Sequence, residues 1–137
     1  MQRIIEVIVR GVITDGSRVL LCRGIGADRF FLPGGHVEWG ERIEHALRRE
    51  LREELGHSFR VTSCLGSFEN IFRRDGERHH EVNFLYEVVP ERRGVLTSQE
   101  PHIEFVWVEM RDLSKTNLVP RVIRKKLIQH YRFSIIA

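Results

Sequence analysis

The chain has 137 residues, 42% of them hydrophobic and 30% charged, a composition that suits one globular domain spanning residues 1–137. Two cysteines, Cys22 and Cys64, cannot build a disulfide framework, and no apolar run approaches the roughly 18 residues of a membrane span. The net charge of +3 averages two regions: the first 112 residues hold 16 basic and 19 acidic groups, and the segment after Asp112 holds six basic residues and no acid.

The apolar stretch Ile4–Ile13 is interrupted by Glu6 and Arg10, and no small-residue cleavage site follows, so it reads as a strand and not a signal peptide. Two reduced thiols in a cytoplasmic protein are the expectation. Ile4–Thr14 is rich in β-branched residues and runs into Asp15-Gly16, a hairpin signal, after which Arg18–Arg23 returns as the partner strand. Phe30-Phe31-Leu32 is a short apolar segment stopped by Pro33-Gly34-Gly35. Ile43, Leu47, Leu51 and Leu55 recur at intervals of four with Ala46 beside them, which predicts a helix with one apolar stripe, ended by Gly56.

Asp75-Gly76 marks a second hairpin between Phe59–Arg74 and His79–Val89; in the latter, Val82, Phe84, Tyr86 and Val88 alternate with polar residues. Residues 90–101 read as a polar loop and Ile103–Val108 as a strand. A last helix is predicted from about Val119 to Tyr131, with Pro120 near its first turn and Ile123, Leu127 and Tyr131 as the buried stripe. Strands broken by one central helix and closed by another predict a mixed α/β domain with largely antiparallel pairing.

The central helix carries more acid than burial needs. Glu50, Glu53 and Glu54 stand at i, i+3 and i+4, so three carboxylates project from one side of a single turn. A solvated face neutralised by Arg48, Arg49 and Arg52 would explain an isolated pattern of this kind. A hard divalent cation with oxygen ligands, Mg²⁺ or Mn²⁺, is the alternative, and the surrounding residues favour it. From Gly35 the chain reads Gly, five residues, Glu41, seven residues, Arg49-Glu50, Leu51, one residue, Glu53-Glu54, one residue, Gly56.

This 35–57 segment resembles the Nudix box of the Nudix hydrolase superfamily at every fixed position but the last, where His57 replaces an aliphatic residue. Leu32-Pro33-Gly34 and Glu38 also match the usual approach to the box. The resemblance, to small members of the MutT or ADP-ribose pyrophosphatase kind, implies an α/β/α sandwich around a mixed sheet with the box as loop–helix–loop. It implies hydrolysis of a nucleoside diphosphate linked to another moiety (a nucleoside triphosphate, ADP-ribose or a nucleotide sugar) by attack of metal-activated water at phosphorus. Glu50, Glu53 and Glu54 would hold the metal with the carbonyl of Gly35, and Arg49 would pair with an acid of the box, Glu41, to fix the loop. The general base is left open among Glu50 and Glu54 within the box and Glu100 and Glu104 outside it. A homodimer is common among such enzymes.

For substrate contacts, Trp39 in its polar loop is the better placed aromatic to stack on a base, Arg23 and Arg29 could reach phosphate or equally be surface charge, and His80 could line the cleft, though such histidines are more often structural. His36 and His45 read as surface. Two other readings stay open: a silent nucleotide-binding sensor, against which the intact carboxylates argue, and an RNA 5′-end pyrophosphohydrolase. The net −3 of the first 112 residues and the lack of interleaved aromatics in the basic tail argue against nucleic acid as a partner.

Overall fold

The computed structural model describes residues 3–132. Two sheets form around two helices. The larger sheet, in the order β4–β1–β6–β5, joins Gly34–His36, Ile5–Val12, Glu77–Pro90 and Phe59–Arg74. Its β1–β6 pair is parallel, and the pairs β1–β4 and β5–β6 are antiparallel. The smaller sheet joins β2 (Thr14–Asp15), β3 (Arg18–Gly24) and β7 (Ile103–Glu109), all antiparallel. Helix α1 covers Ile43–Leu55, a 3-10 helix covers Met110–Lys115, and α2 covers Arg121–His130. None of these helices is long and apolar enough to cross a membrane. The mixed α/β architecture expected from the sequence is observed.

The predicted strand Ile4–Thr14 is in fact two strands in different sheets. β1 ends at Val12, and after Ile13, which is 1% exposed, β2 joins the smaller sheet. The alternation of apolar residues continues through the switch, so the pattern alone could not mark it. Strand β4 also went unforeseen, because Gly34 and Gly35 have no side chains to show a strand period. The 3-10 turn after β7 is a further addition.

Two apolar clusters hold the elements together, one on each side of the larger sheet. On one side Leu47, Leu51 and Leu55 of α1 pack with Val9, Ile13, Leu20, Phe59 and Val88. Gly11 lies under this helix, where a Cβ would come within 3.3 Å of Leu47 and 3.5 Å of Leu51. On the other side Ile123 and Leu127 of α2 pack with Val12, Leu21, Leu32, Leu85 and Leu118. Tyr131, assigned to the buried stripe, is half-buried and donates its hydroxyl to Glu87 at 2.5 Å. Gly56 ends α1 in the left-handed conformation at φ 71°, donating its N–H to the Arg52 carbonyl. Asp75 and Gly76, at φ 51° and 80°, make the tight turn between β5 and β6.

The thiols differ sharply in environment. Cys64 is exposed, whereas Cys22 lies partly buried between β7 and Phe31, and loss of solvent pushes its thiol up to about 12. The thiolate is the reactive form, so a raised value keeps Cys22 protonated through neutral and mildly alkaline pH. Iodoacetamide at pH 8 is expected to label Cys64 in the native protein and to reach Cys22 only in denaturant, as peptide mass spectrometry would show.

Candidate active site

The glycine turn and the acidic helix meet at the β4 edge of the larger sheet. β4 pairs with β1 so that Gly34 stands opposite Arg10 and Gly35 opposite Val9. Gly34 has φ 142°, and a Cβ there would collide with the Val9 carbonyl and come within 2.9 Å of Arg10 Cα. At Gly35 a Cβ would lie 2.5–2.7 Å from the carboxylate atoms of Glu50. The missing side chains therefore do different work: at Gly34 the strand can form, and at Gly35 a carboxylate can lie against the backbone.

Arg49 ties loop to helix. Its Nε and Nη2 fork onto Glu41 at 2.7 and 3.0 Å, its Nη2 also donates to the His36 carbonyl at 3.1 Å, and its Nη1 reaches Glu50 at 3.1 Å and Glu53 at 3.5 Å. The forked bond holds the Glu41 carboxyl down at about 2. The pairing of Arg49 with Glu41 is the one expected from the sequence.

Glu50 and Glu54 are held in poorly solvated positions. Burial raises both carboxyls, Glu54 to about 8. Arg10 opposes that rise at Glu54, while Glu50 and Glu100 add to it as neighbouring negative charges. Glu54 accepts the Gly34 N–H at 3.3 Å. Glu53 stands outward, its side chain 56% exposed.

Among the described residues no three acidic, histidine or cysteine side chains converge closely enough to hold a metal ion as they stand. Arg49 lies between Glu50 and Glu53 instead. The residues nevertheless fit a hard divalent cation. The available donors are carboxylate and carbonyl oxygens, Glu50 fills the space a Cβ on Gly35 would take, and Glu54 is desolvated beside another acid.

The other sequence candidates fall in three places. Arg23 and Glu104 pair at 2.5 Å across β3 and β7, and the Arg23 guanidinium lies 4.9 Å from the Phe30 ring centroid. Arg29 and Trp39 are exposed, Trp39 fully. His80 pairs with Glu69 at 2.9 Å and stands opposite Ile5 in register, on the other face of the sheet from Arg10. His36 and His45 are exposed, as expected.

Sequence reading missed Arg10. It looked like an interruption of an apolar strand, yet it donates to the Leu32 carbonyl at 3.0 Å and is partly buried beside the glycine turn. A charge set between β-branched residues and a glycine was the available signal.

The NUDIX domain model matches residues 5–131. The chain belongs to the Nudix family. It is 35% identical over 118 residues to the nucleoside triphosphatase NudI of Escherichia coli O139:H28, with 77% of this chain and 83% of that protein covered. NudI of Shigella flexneri serotype 5b is equally similar, at 35% over the same length and coverage. Among solved structures, a MutT Nudix hydrolase from Burkholderia pseudomallei aligns with a TM-score of 0.70 at 28% identity, covering 90% of this chain and 96% of that one. The Escherichia coli ORF135 protein aligns at 0.73 and 26%, covering 95% and 92%. As a Nudix enzyme the chain is a pyrophosphohydrolase, and the family generally uses a divalent metal.

Proposed function

We propose that this Nudix hydrolase cleaves nucleoside triphosphates, with Glu50, Glu53, Glu54 and the Gly35 carbonyl holding Mg²⁺ or Mn²⁺. The observation that carries the site is the lodging of Glu50 against Gly35, with Glu54 desolvated beside Gly34. The substrate class is supported by the likeness to NudI. A divalent cation bound there would supply charge neutralisation for the phosphate oxygens and lower the pKa of water.

The chain's own groups do the rest. Arg49 keeps Glu50 and the 35–41 loop in register through Glu41, so it is a positioning residue. Arg10 supplies positive charge next to Glu54 on the phosphate side of the turn. Arg23, braced by Glu104 and Phe30, offers a second guanidinium for phosphate, with Arg29 beyond it. Glu104 is thereby engaged, which makes Glu100, close enough to act on Glu54, the better of the two outside acids to accept a proton. Trp39, fully exposed, is free to fold over a bound base.

A substrate panel tests this reading. With Mg²⁺, nucleoside triphosphates are expected to be turned over at least about tenfold more efficiently than ADP-ribose, nucleotide sugars, dinucleoside polyphosphates or capped RNA. Turnover of another class alone would reassign the substrate. Tight nucleotide binding without any turnover would favour a sensor.

A further inference from the structure

The sheet face that bears Arg10 carries a polar group that the phosphate chemistry does not use. Residues paired across strands share a face, so Arg10, Ile8 and Glu6 of β1 lie on one side with Leu85, Asn83 and Glu81 of β6. Phe68 and Asn70 of β5 continue it, opposite Asn83 and Glu81. Asn83 is 2% exposed, the one buried polar side chain among the described residues. Its Nδ2 lies 3.4 Å from Glu81 Oε1, and Nδ2 of Asn70 approaches the same oxygen at 3.5 Å. Two amides, one of them buried, thus fix one carboxylate on a partly exposed floor. A buried amide is retained at a cost, and here it orients Glu81 from beneath.

That floor meets the glycine turn of the active site at Arg10, which stands opposite Gly34 and donates to the Leu32 carbonyl. β4 pairs along the edge of β1, with Gly34 opposite Arg10, Gly35 opposite Val9, and His36 opposite Ile8 and within 3.0 Å of Glu6. At a strand spacing of about 4.8 Å and a rise of about 3.4 Å per residue, Glu81 lies roughly 14 Å from Gly35. A nucleoside joined to a polyphosphate covers that span.

We propose that Glu81, held by Asn70 and Asn83, reads the nucleobase and selects guanine; this rests on the nucleoside triphosphate reading. Guanine presents N1–H and the N2 amino group side by side as donors, and a carboxylate accepts both, while an asparagine amide can donate to O6. Adenine presents a bare N1 acceptor beside its amino group and would set a lone pair against the carboxylate. Uracil and thymine offer one donor only.

The test is the hydrolysis of GTP, ATP, CTP and UTP by the wild type, Glu81→Gln and Asn70→Ala, with GMP and AMP binding measured in parallel by calorimetry. The wild type is expected to prefer GTP at least about tenfold in kcat/KM. Glu81→Gln is expected to lose about tenfold or more on GTP and less than about twofold on ATP. Asn70→Ala should fall in the same selective way, with Tm unchanged in both variants. Equal turnover of GTP and ATP by the wild type, or an equal fall on both in Glu81→Gln, would overturn the proposal. If no nucleoside triphosphate is hydrolysed, the reading of the reaction fails, and the calorimetry decides the base: GMP bound more tightly than AMP, with the difference lost in Glu81→Gln, supports the assignment, and equal binding defeats it.

Discussion

Glu54→Gln is expected to abolish turnover and at the same time stabilise the protein in EDTA. Its carboxylate is held out of solvent beside Glu50 and Glu100, which raises the carboxyl to about 8, and its hydrogen bond comes from the Gly34 N–H. A glutamine keeps an acceptor for that N–H and carries no charge, so the fold gains on the order of 1 kcal/mol, as is usual when a strained functional group is removed. Turnover should fall by about 100-fold or more, since even groups behind metal ligands are worth 10–100-fold. Thermal melts with EDTA and with Mg²⁺ check both halves. The wild type should gain Tm on adding Mg²⁺, and the variant should gain little. A variant that melts below the wild type in EDTA, or one that retains turnover, would contradict the assignment of Glu54.

Alanine at the two neighbouring glycines separates fold from chemistry. At Gly34 the backbone conformation, φ 142°, is strained for any other residue, and the new Cβ meets the Val9 carbonyl in the paired strand, which cannot move. Gly34→Ala should cost about 3 kcal/mol or more, seen as a fall in Tm of roughly 10 °C or more. At Gly35 the new Cβ meets only the carboxylate end of Glu50, which can turn aside. Gly35→Ala should therefore keep Tm within a few degrees and lose turnover by about tenfold or more, because Glu50 no longer lies against the turn. Far-UV spectra, melts and initial rates on the two proteins measure the contrast. Equal destabilisation by both substitutions would show that the closeness of Gly35 to Glu50 serves the fold alone.

How much of this could be read from the residues depends on which pattern each part leaves. The helix stripe from Ile43 to Leu55, its end at Gly56 and the Asp75-Gly76 turn follow from periodicity and backbone preference, and all appear where expected. The carboxylates of the box and the Arg49–Glu41 pair lie within one short segment, so their proximity is local. What could not be read depends on which face of a strand looks into a cleft. The alternation after Asp75-Gly76 implies an apolar side inward and a polar side outward, but both sides of the larger sheet are covered. Leu85 and Asn83 are as buried as Val88, and His80 lies on the face away from Arg10 while its neighbours His79 and Glu81 lie on the near one. A period of two tells that residues alternate and leaves open which set meets the substrate. Arg10 was lost for the same reason.

The Arg49 fork has a further bearing on how a ligand would be met at the acidic helix. By clasping Glu41 and the His36 carbonyl together, it closes the 36–41 loop into a ring with the helix before any ligand arrives. The conformational entropy of that loop is lost at folding and not at binding, so association leaves mainly side-chain rotations of Glu50 and Glu53 to be arrested. The site is thus preorganised in its backbone and adjustable at its carboxylate tips.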